Sequence, residues 1–514
     1  MESKLAKKSI EQGLKQLAKS SFIVFIIIFL SKFLTYFYRI IIARCFGPEI
    51  YGIFSLAVMV VGLFVAISSL GLSQGLLRYI SFYRGRKEEK KARYLFRIVL
   101  VVLFFSSIIS GAILFLTAET IAINLFHSPG LVLFLKIFSF LVPCLIFLDV
   151  FLSIIRAFEK ISWYSFILNF FQNAAKLVFL GLLILIGIKE TSIALSYFLG
   201  VLVTCIAAYL FCRYKISQIF LSYNLSSKEK VEIRKEVFSY SWPFIFSGIV
   251  ASLFYWVDSF FIGYFYGPLE VGFYNAAIPL VALFAIAPEI FMQLFFPLVT
   301  KEYSRKRMPV VKELSKQTSK WIFLLNLPLF MIVFLFPGAI INLMFGSAYL
   351  PAENALRILS ISGFLSGVLG LSTSLISMVG KSKLILYSLI ITTLVNIILN
   401  YFLVKEYGID GAAFSTAISL LLFTAILLWQ AKKHTHFIPL RRKLINIFFI
   451  SLIPLGLLIF LKQLIPINIL SAILLGIFFI LTYILSIYLF RGLDENDYGI
   501  LRAFILKAKP KKRV

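Results

Sequence analysis

Gly47-Pro48-Glu49-Ile50-Tyr51-Gly52-Ile53-Phe54 and Gly267-Pro268-Leu269-Glu270-Val271-Gly272-Phe273-Tyr274 open two apolar stretches that lie 220 residues apart. The correspondence continues through Ala57/Ala277, Val61/Val281, Leu63/Leu283 and Phe64/Phe284. Ser153 to Lys160 and Ser374 to Lys381 form a second pair, offset by 221 residues. One such match would carry little, because apolar segments resemble one another by composition. Two at a common offset imply a duplicated unit.

The composition says what solvent that unit faces. Hydrophobic residues make up 61% of the 514, charged residues 14%, and the mean hydropathy is +0.96. A soluble domain has too little interior for that much apolar surface, so the solvent is lipid. The net charge of +28 would suit nucleic acid if it were clustered on a domain surface. Here the basic residues sit in short loops between apolar segments and read as membrane topology, with no nucleic-acid partner.

The expected class is an all-α integral membrane protein with about 14 transmembrane helices. Apolar segments of helical span length occur at 21–43, 51–72, 95–117, 131–153, 163–187, 192–212, 240–264, 271–297, 320–343, 354–379, 384–404, 410–429, 444–464 and 468–490. The stretch 119–130 is apolar but interrupted by Asn124, His127, Pro129 and Gly130. With both termini placed in the cytoplasm, 42 of the 51 Lys and Arg residues fall on that side, and only Arg44, Lys189, Lys405 and Lys462 lie in outer loops. That asymmetry sets the orientation in the cytoplasmic membrane.

An offset of 220 residues covers six spans, an even number, so both copies point the same way. The expectation is two parallel six-helix lobes plus a C-terminal helix pair, the lobes related by an axis along the membrane normal. The divisions are a basic N-terminal segment (1–20), an N-lobe (21–212), a cytoplasmic linker (213–239), a C-lobe (240–429), a basic loop (430–443), helices 13 and 14 (444–490) and a basic tail (491–514). The N-terminal segment reads either as a disordered basic tail or as a surface helix presenting Leu5, Ile10, Leu14 and Leu17. The apolar run after it is too long for the core of a cleavable signal.

Catalytic motifs are missing, and the chain is read as no enzyme. Cys45, Cys144, Cys205 and Cys212 show neither disulfide nor metal spacing. Gly380-Lys381-Ser382 resembles the end of a phosphate loop, but Leu375 stands where its first glycine belongs. His127, His434 and His436 are not grouped as a metal site, and no cofactor or metal is expected. Polysaccharide polymerases and ligases need catalytic groups in sizeable outer loops, which are too short here. Parallel membrane repeats are instead the build of secondary transporters, with the substrate between the halves.

Gly47-Pro48-Glu49-x-Tyr51-Gly52, followed by the run Leu70-Gly71-Leu72-Ser73-Gln74-Gly75-Leu76-Leu77-Arg78-Tyr79, resembles the start of the polysaccharide-export flippases. These are the Wzx-type members of the multidrug/oligosaccharidyl-lipid/polysaccharide superfamily. Asn396 to Asn400, then Tyr407-Gly408-Ile409-Asp410-Gly411-Ala412-Ala413, is similar to the second half of the same family. The resemblance covers nearly the whole chain. It implies a flippase moving polyprenyl-pyrophosphate-linked oligosaccharide to the outer leaflet for surface polysaccharide or glycan biosynthesis. It also implies a V-shaped cavity between the lobes, lined largely by the first two helices of each.

The chemistry of that substrate states what a site must contain. Its sugar is costly to desolvate and its pyrophosphate is anionic, so it needs cations plus hydroxyl and amide groups at membrane depth, while its tail stays among membrane lipids. On the first helix Lys32 lies about 18 Å from the cytoplasmic end, and Lys32, Tyr36 and Arg39 share a face. The ordinary alternative for Arg39 is snorkelling to the outer surface. Asn169, Gln172, Asn173 and Lys176 recur at helical spacing on the fifth helix, as a wet stripe or as interhelical glue. Thr392, Thr393, Asn396 and Asn400 form a weaker stripe that reads better as glue.

Asp258 on the seventh helix corresponds at the repeat offset to Tyr38, next to Arg39. An Asp258–Arg39 ion pair is the expectation, with a protonatable coupling site as the alternative. Arg78 at the inner end of the second helix and Arg357 near an outer end are further phosphate candidates; each also reads as a topology or snorkelling charge. Asp149 and Glu289 receive no role. Pro279, Pro288, Pro297, Pro328 and Pro337 punctuate the eighth and ninth helices as kinks. A multidrug or organic-cation exporter of the same superfamily and a lipid II flippase are the alternative functions. Other polysaccharide-assembly enzymes would be partners.

Overall fold

The computed structural model describes residues 2–441, 443–464, 469–490 and 492. Among them every regular element is helical. In chain order these are α1 (Glu2–Ser68), α2 (Leu72–Gly85), α3 (Glu89–Thr120), α4 (Pro129–Ser139), α5 (Leu141–Ala157) and α6 (Ile161–Ser165). They continue with α7 (Gln172–Leu185), α8 (Thr191–Lys215), α9 (Ser227–Tyr266), α10 (Pro268–Ala282), α11 (Ile286–Ser304) and α12 (Met308–Leu335). The last six are α13 (Pro337–Met344), α14 (Glu353–Leu369), α15 (Leu371–Met378), α16 (Ser382–Thr435), α17 (Lys443–Leu464) and α18 (Ile469–Leu489). Backbone polar groups find no water in hydrocarbon, so helices satisfy them within the chain.

Ten of the described helices are long and apolar enough to cross a membrane, or eleven if the pair Pro129–Ser139 and Leu141–Ala157, bent by 41°, is one span. That count takes Phe29–Ser68 and Ser382–Thr435 as single helices, although each is broken by a glycine outside helical geometry, Gly47 and Gly408. The sequence divides both at these glycines. The interrupted stretch 119–130 proves to be a π-helical turn, Ile121–Leu125, that ends α3 before Pro129 starts α4. The C-terminal tail 491–514, apart from Gly492, lies outside the described residues.

Duplication is visible in the backbone. Gly47 and Gly267 have the same conformation, φ 81° with ψ 176° and −174°, which only glycine adopts without strain, and each is followed by proline at the first turn of a helix. Other left-handed residues recur at offsets of 219 to 221: Lys87 with Lys306, His127 with Gly346, Glu159 with Gly380, and Gly187 with Gly408. The turns between helices were copied along with the helices. Leu70, Gly71 and His436 have no counterpart among the described residues.

Two compact units are present. The first comprises Met1–Leu280, Met344–Ala355 and Leu386–Ser419, and the second Val281–Leu343, Leu356–Ile385 and Leu420–Val514. In the first unit the two copies of the glycine–proline motif pack against each other. A Cβ at Gly52 would stand 1.7 Å from the carbonyl oxygen of Pro268, and one at Gly272 would stand 1.9 Å from that of Pro48. The motif meets its own duplicate reciprocally, and the contact is backbone on backbone. In the second unit α11 packs on α12 and α15, and α12 packs on α17, which pairs with α18.

Three of the prolines share a consequence. Proline has no N–H, so the carbonyl four residues earlier loses its helical donor. Pro279 frees Asn275, whose oxygen accepts from Tyr51 Oη at 3.2 Å. Pro288 frees Phe284, which accepts from Asn326 Nδ2 at 2.9 Å. Pro328 frees Leu324, which accepts from Tyr483 Oη at 3.0 Å. These three orphans are each matched by a side chain from another helix, as the cost of leaving a buried acceptor unpaired requires.

Candidate functional site

The first unit holds a cavity of about 90 Å³ lined by Thr35, Tyr38, Arg39, Phe54, Ser55, Val58, Asn173, Lys176, Tyr197 and Trp256. Two cations, several hydroxyls and one amide converge there, and no carboxylate is among the lining residues. The helices that supply them are both halves of the kinked α1, together with α7, α8 and α9.

Each cation is held by neutral groups. Lys176 is 7% exposed, and its ammonium lies 3.8 Å from the centre of the Tyr197 ring, a cation–π contact that leaves its charge intact. The stem of Lys176 runs against α8 at Gly200, where a Cβ would come within 2.5 Å of Lys176 Cγ. Arg39 donates from Nη1 to Tyr51 Oη at 3.4 Å. Tyr38, beside it, shares a 3.2 Å hydrogen bond with Ser196 Oγ.

The fifth predicted span is not a uniform helix. A π-helical stretch, Phe166–Phe171, separates α6 from α7. The extra residue in that turn shifts Asn169 around the axis relative to Gln172, Asn173 and Lys176, which follow the turn on α7. Asn173 and Lys176 reach the cavity, while Asn169 and Gln172 are not among its lining residues. Asn169 instead donates to Ser165 Oγ at 3.3 Å, and Asn173 donates to the Asn169 carbonyl at 2.7 Å.

Asp258 does not pair with Arg39. It is 4% exposed, and its carboxylate accepts from Tyr274 Oη at 2.6 Å, Asn400 Nδ2 at 2.9 Å and Thr416 Oγ1 at 2.5 Å. Three neutral donors take the place of the expected guanidinium. The repeat offset relates the two positions along the chain, but each side chain is satisfied by other partners. Asn400 also donates to Asn396 Oδ1 at 2.9 Å, so the α16 stripe serves partly to hold this carboxylate. Tyr274 and Thr416 were not anticipated from the sequence. Next along the chain, Ser259 Oγ accepts from Asn275 Nδ2 at 3.0 Å.

The remaining candidates lie elsewhere. Lys32 and Tyr36 are half-buried on α1 and do not line this cavity. Arg78 is exposed, with its guanidinium 4.1 Å over the Tyr240 ring. Arg357 belongs to the second unit and donates from Nε to the Phe334 carbonyl at 3.2 Å. No group of three or more His, Cys, Asp or Glu residues able to hold a metal occurs among the described residues.

Known proteins similar to this chain fall in two matching families and include proteins named as transporters and flippases. The family model described as "Polysaccharide biosynthesis protein" matches residues 17–301, and the model described as MatE matches residues 243–402. The "Putative O-antigen transporter" of Shigella flexneri is 24% identical over 403 residues, covering 76% of this chain and 91% of that protein. The "Probable low-salt glycan biosynthesis flippase Agl15" of Haloferax volcanii is 25% identical over 321 residues, covering 62% and 65%. Among solved structures, a lipid II flippase, MurJ, in an inward closed conformation superposes with a TM-score of 0.70 at 17% identity, covering 90% of this chain and 98% of that one. An inward-facing multidrug transporter of the MATE family gives 0.67 at 16% identity, covering 79% and 94%. At those identities the structures speak for the fold alone.

Proposed function

Because the chain belongs to the polysaccharide biosynthesis protein family, we propose that it is a flippase for polyprenyl-pyrophosphate-linked oligosaccharide in the cytoplasmic membrane. The relatives named for O-antigen transport and glycan flipping support that substrate class. The observation that carries the reading is the convergence of Arg39 and Lys176 on one cavity without a carboxylate. A pyrophosphate brings negative charge that both cations attract, Arg39 through its planar fork and Lys176 as a point charge. Thr35, Tyr38, Ser55 and Asn173 are suited to hydroxyl-rich sugar. The same two charges repel organic cations, which weighs against the drug-exporter alternative.

The protein acts as a transporter and not as an enzyme in this reading. A cavity of about 90 Å³ is small beside the roughly 300–1,000 Å³ of ordinary ligand pockets, so the head group enters only when the cavity widens. Rocking of the duplicated lobes, 21–212 against 240–429, supplies that widening and exposes the site to each leaflet in turn. Both termini are cytoplasmic, as the concentration of Lys and Arg on one side argues. The lipid-linked substrate comes from membrane glycosyl transfer on the inner leaflet and passes to polymerising or ligating enzymes outside.

Cells lacking their own polysaccharide flippase provide the test. The wild-type chain restores surface polysaccharide there, while Arg39→Ala and Lys176→Ala reach the membrane at normal levels and restore little. Full restoration by the Arg39→Ala/Lys176→Ala double variant would remove the phosphate-binding role of this cavity.

A further inference from the structure

The cavity arginine is fixed from behind by a residue outside the cavity lining. Tyr51 is 0% exposed, so its hydroxyl must find partners within the protein. It has one proton, and that proton is committed to the Asn275 carbonyl at 3.2 Å. Its lone pairs are therefore left for Arg39, whose Nη1 donates to it at 3.4 Å. The Asn275 carbonyl is open to Tyr51 because Pro279 supplies no helical N–H. The tyrosine ring is itself held between Phe54, Phe345 and Tyr349, with ring centres 6.2 to 6.5 Å away.

We propose that Tyr51 is a positioning residue for the cavity arginine, anchored to the main-chain acceptor that Pro279 creates. A carboxylate would orient the guanidinium equally well but would cancel its charge. A phenol orients it and leaves the positive charge for an anionic ligand. One of the five guanidinium N–H groups is spent on Tyr51, and the others remain for phosphate oxygens. Through Asn275 the same hydroxyl ties the site to α10, which carries the second glycine–proline motif. The inference rests on the flippase reading and names a residue that sets how its substrate is held.

The test uses the full chain in proteoliposomes, following translocation of a fluorescent polyprenyl-pyrophosphate oligosaccharide. Tyr51→Phe keeps the ring and its packing. It should raise KM about tenfold, the scale of one lost hydrogen bond to a charged group, with kcat nearly unchanged. Pro279→Ala returns an N–H that competes for the Asn275 carbonyl and should raise KM by a smaller factor. In an Arg39→Ala background Tyr51→Phe should add nothing, because the tyrosine acts through the arginine. Wild-type KM in both Tyr51→Phe and Pro279→Ala, or a full additional loss in the Arg39→Ala background, overturns the proposal while leaving the flippase reading intact. A wild-type protein that moves no lipid-linked oligosaccharide defeats the functional reading, and this inference with it.

Discussion

Replacing Gly52 by alanine tests the contact between the duplicated motifs. The added methyl would lie 1.7 Å from the Pro268 carbonyl oxygen and 2.8 Å from the Gly272 nitrogen. Restoring an ordinary contact requires the two helices to part by about 1.5 Å, and both obstacles are backbone, so no side chain can rotate away. Overpacking costs about 1–3 kcal/mol in cores that can adjust, and this site belongs at the upper end. Alanine returns about 1 kcal/mol of helix propensity. The net loss is about 2 kcal/mol, read as a shift in equilibrium unfolding of the purified protein in mixed micelles. Gly272→Ala should behave alike, with 1.9 Å to the Pro48 oxygen. The double variant should lose less than the sum, since one separation relieves both clashes. Gly248→Ala, where a Cβ meets nothing within 4 Å, is the matched control. Gly52→Ala and Gly272→Ala proteins as stable as Gly248→Ala would refute the packing of motif on motif.

Further outcomes are expected from the site and the topology. Asp258→Asn and Arg39→Ala should be additive in a double-mutant cycle for stability, because their partners are separate; a coupling well above about 0.5 kcal/mol would restore the ion pair. Tyr483→Phe removes the donor to the Leu324 carbonyl left open by Pro328 and should cost about 1–3 kcal/mol in the same unfolding assay, a loss absent if that carbonyl is satisfied otherwise. Single cysteines in the 83–92 and 301–312 loops should react with an impermeant reagent only after the membrane is opened, and labelling of intact cells would reverse the orientation.

The glycine–proline motifs were legible because their chemistry is local. A glycine before proline at the end of one apolar run and the start of the next specifies a kink wherever it occurs, and Gly47 and Gly267 adopt the same one. Helical periodicity likewise brought Asn173 and Lys176 forward as candidates. It failed at Asn169, which lies inside a π-helical turn that has no signature in a 3.6-residue pattern; Gln172 follows the turn on the same helix as Asn173 and Lys176, and the turn does not account for it. The Asp258–Arg39 pair failed for another reason: repeat alignment relates positions along the chain, whereas pairing depends on which neutral donors pack around the carboxylate, here Tyr274, Asn400 and Thr416. Tyr51, which fixes Arg39, lay in the glycine–proline motif without a role. Its acceptor was accessible in principle, since Pro279 by itself implies that the Asn275 carbonyl needs a donor from elsewhere. Which side chain would answer depended on the packing of α1 against α10, which no single-chain pattern encodes.

Whether the protein moves lipid-linked oligosaccharide is measured by translocation with the purified protein. Proteoliposomes are loaded with a fluorescent polyprenyl-pyrophosphate oligosaccharide in both leaflets, and the fraction accessible to an external quencher or glycosidase is followed in time. Movement between leaflets should depend on the protein, slow strongly in the Arg39→Ala/Lys176→Ala variant and be unaffected by excess organic cation. Leaflet exchange no faster than in protein-free vesicles, or transport of organic cations with the oligosaccharide lipid left in place, would contradict the flippase reading.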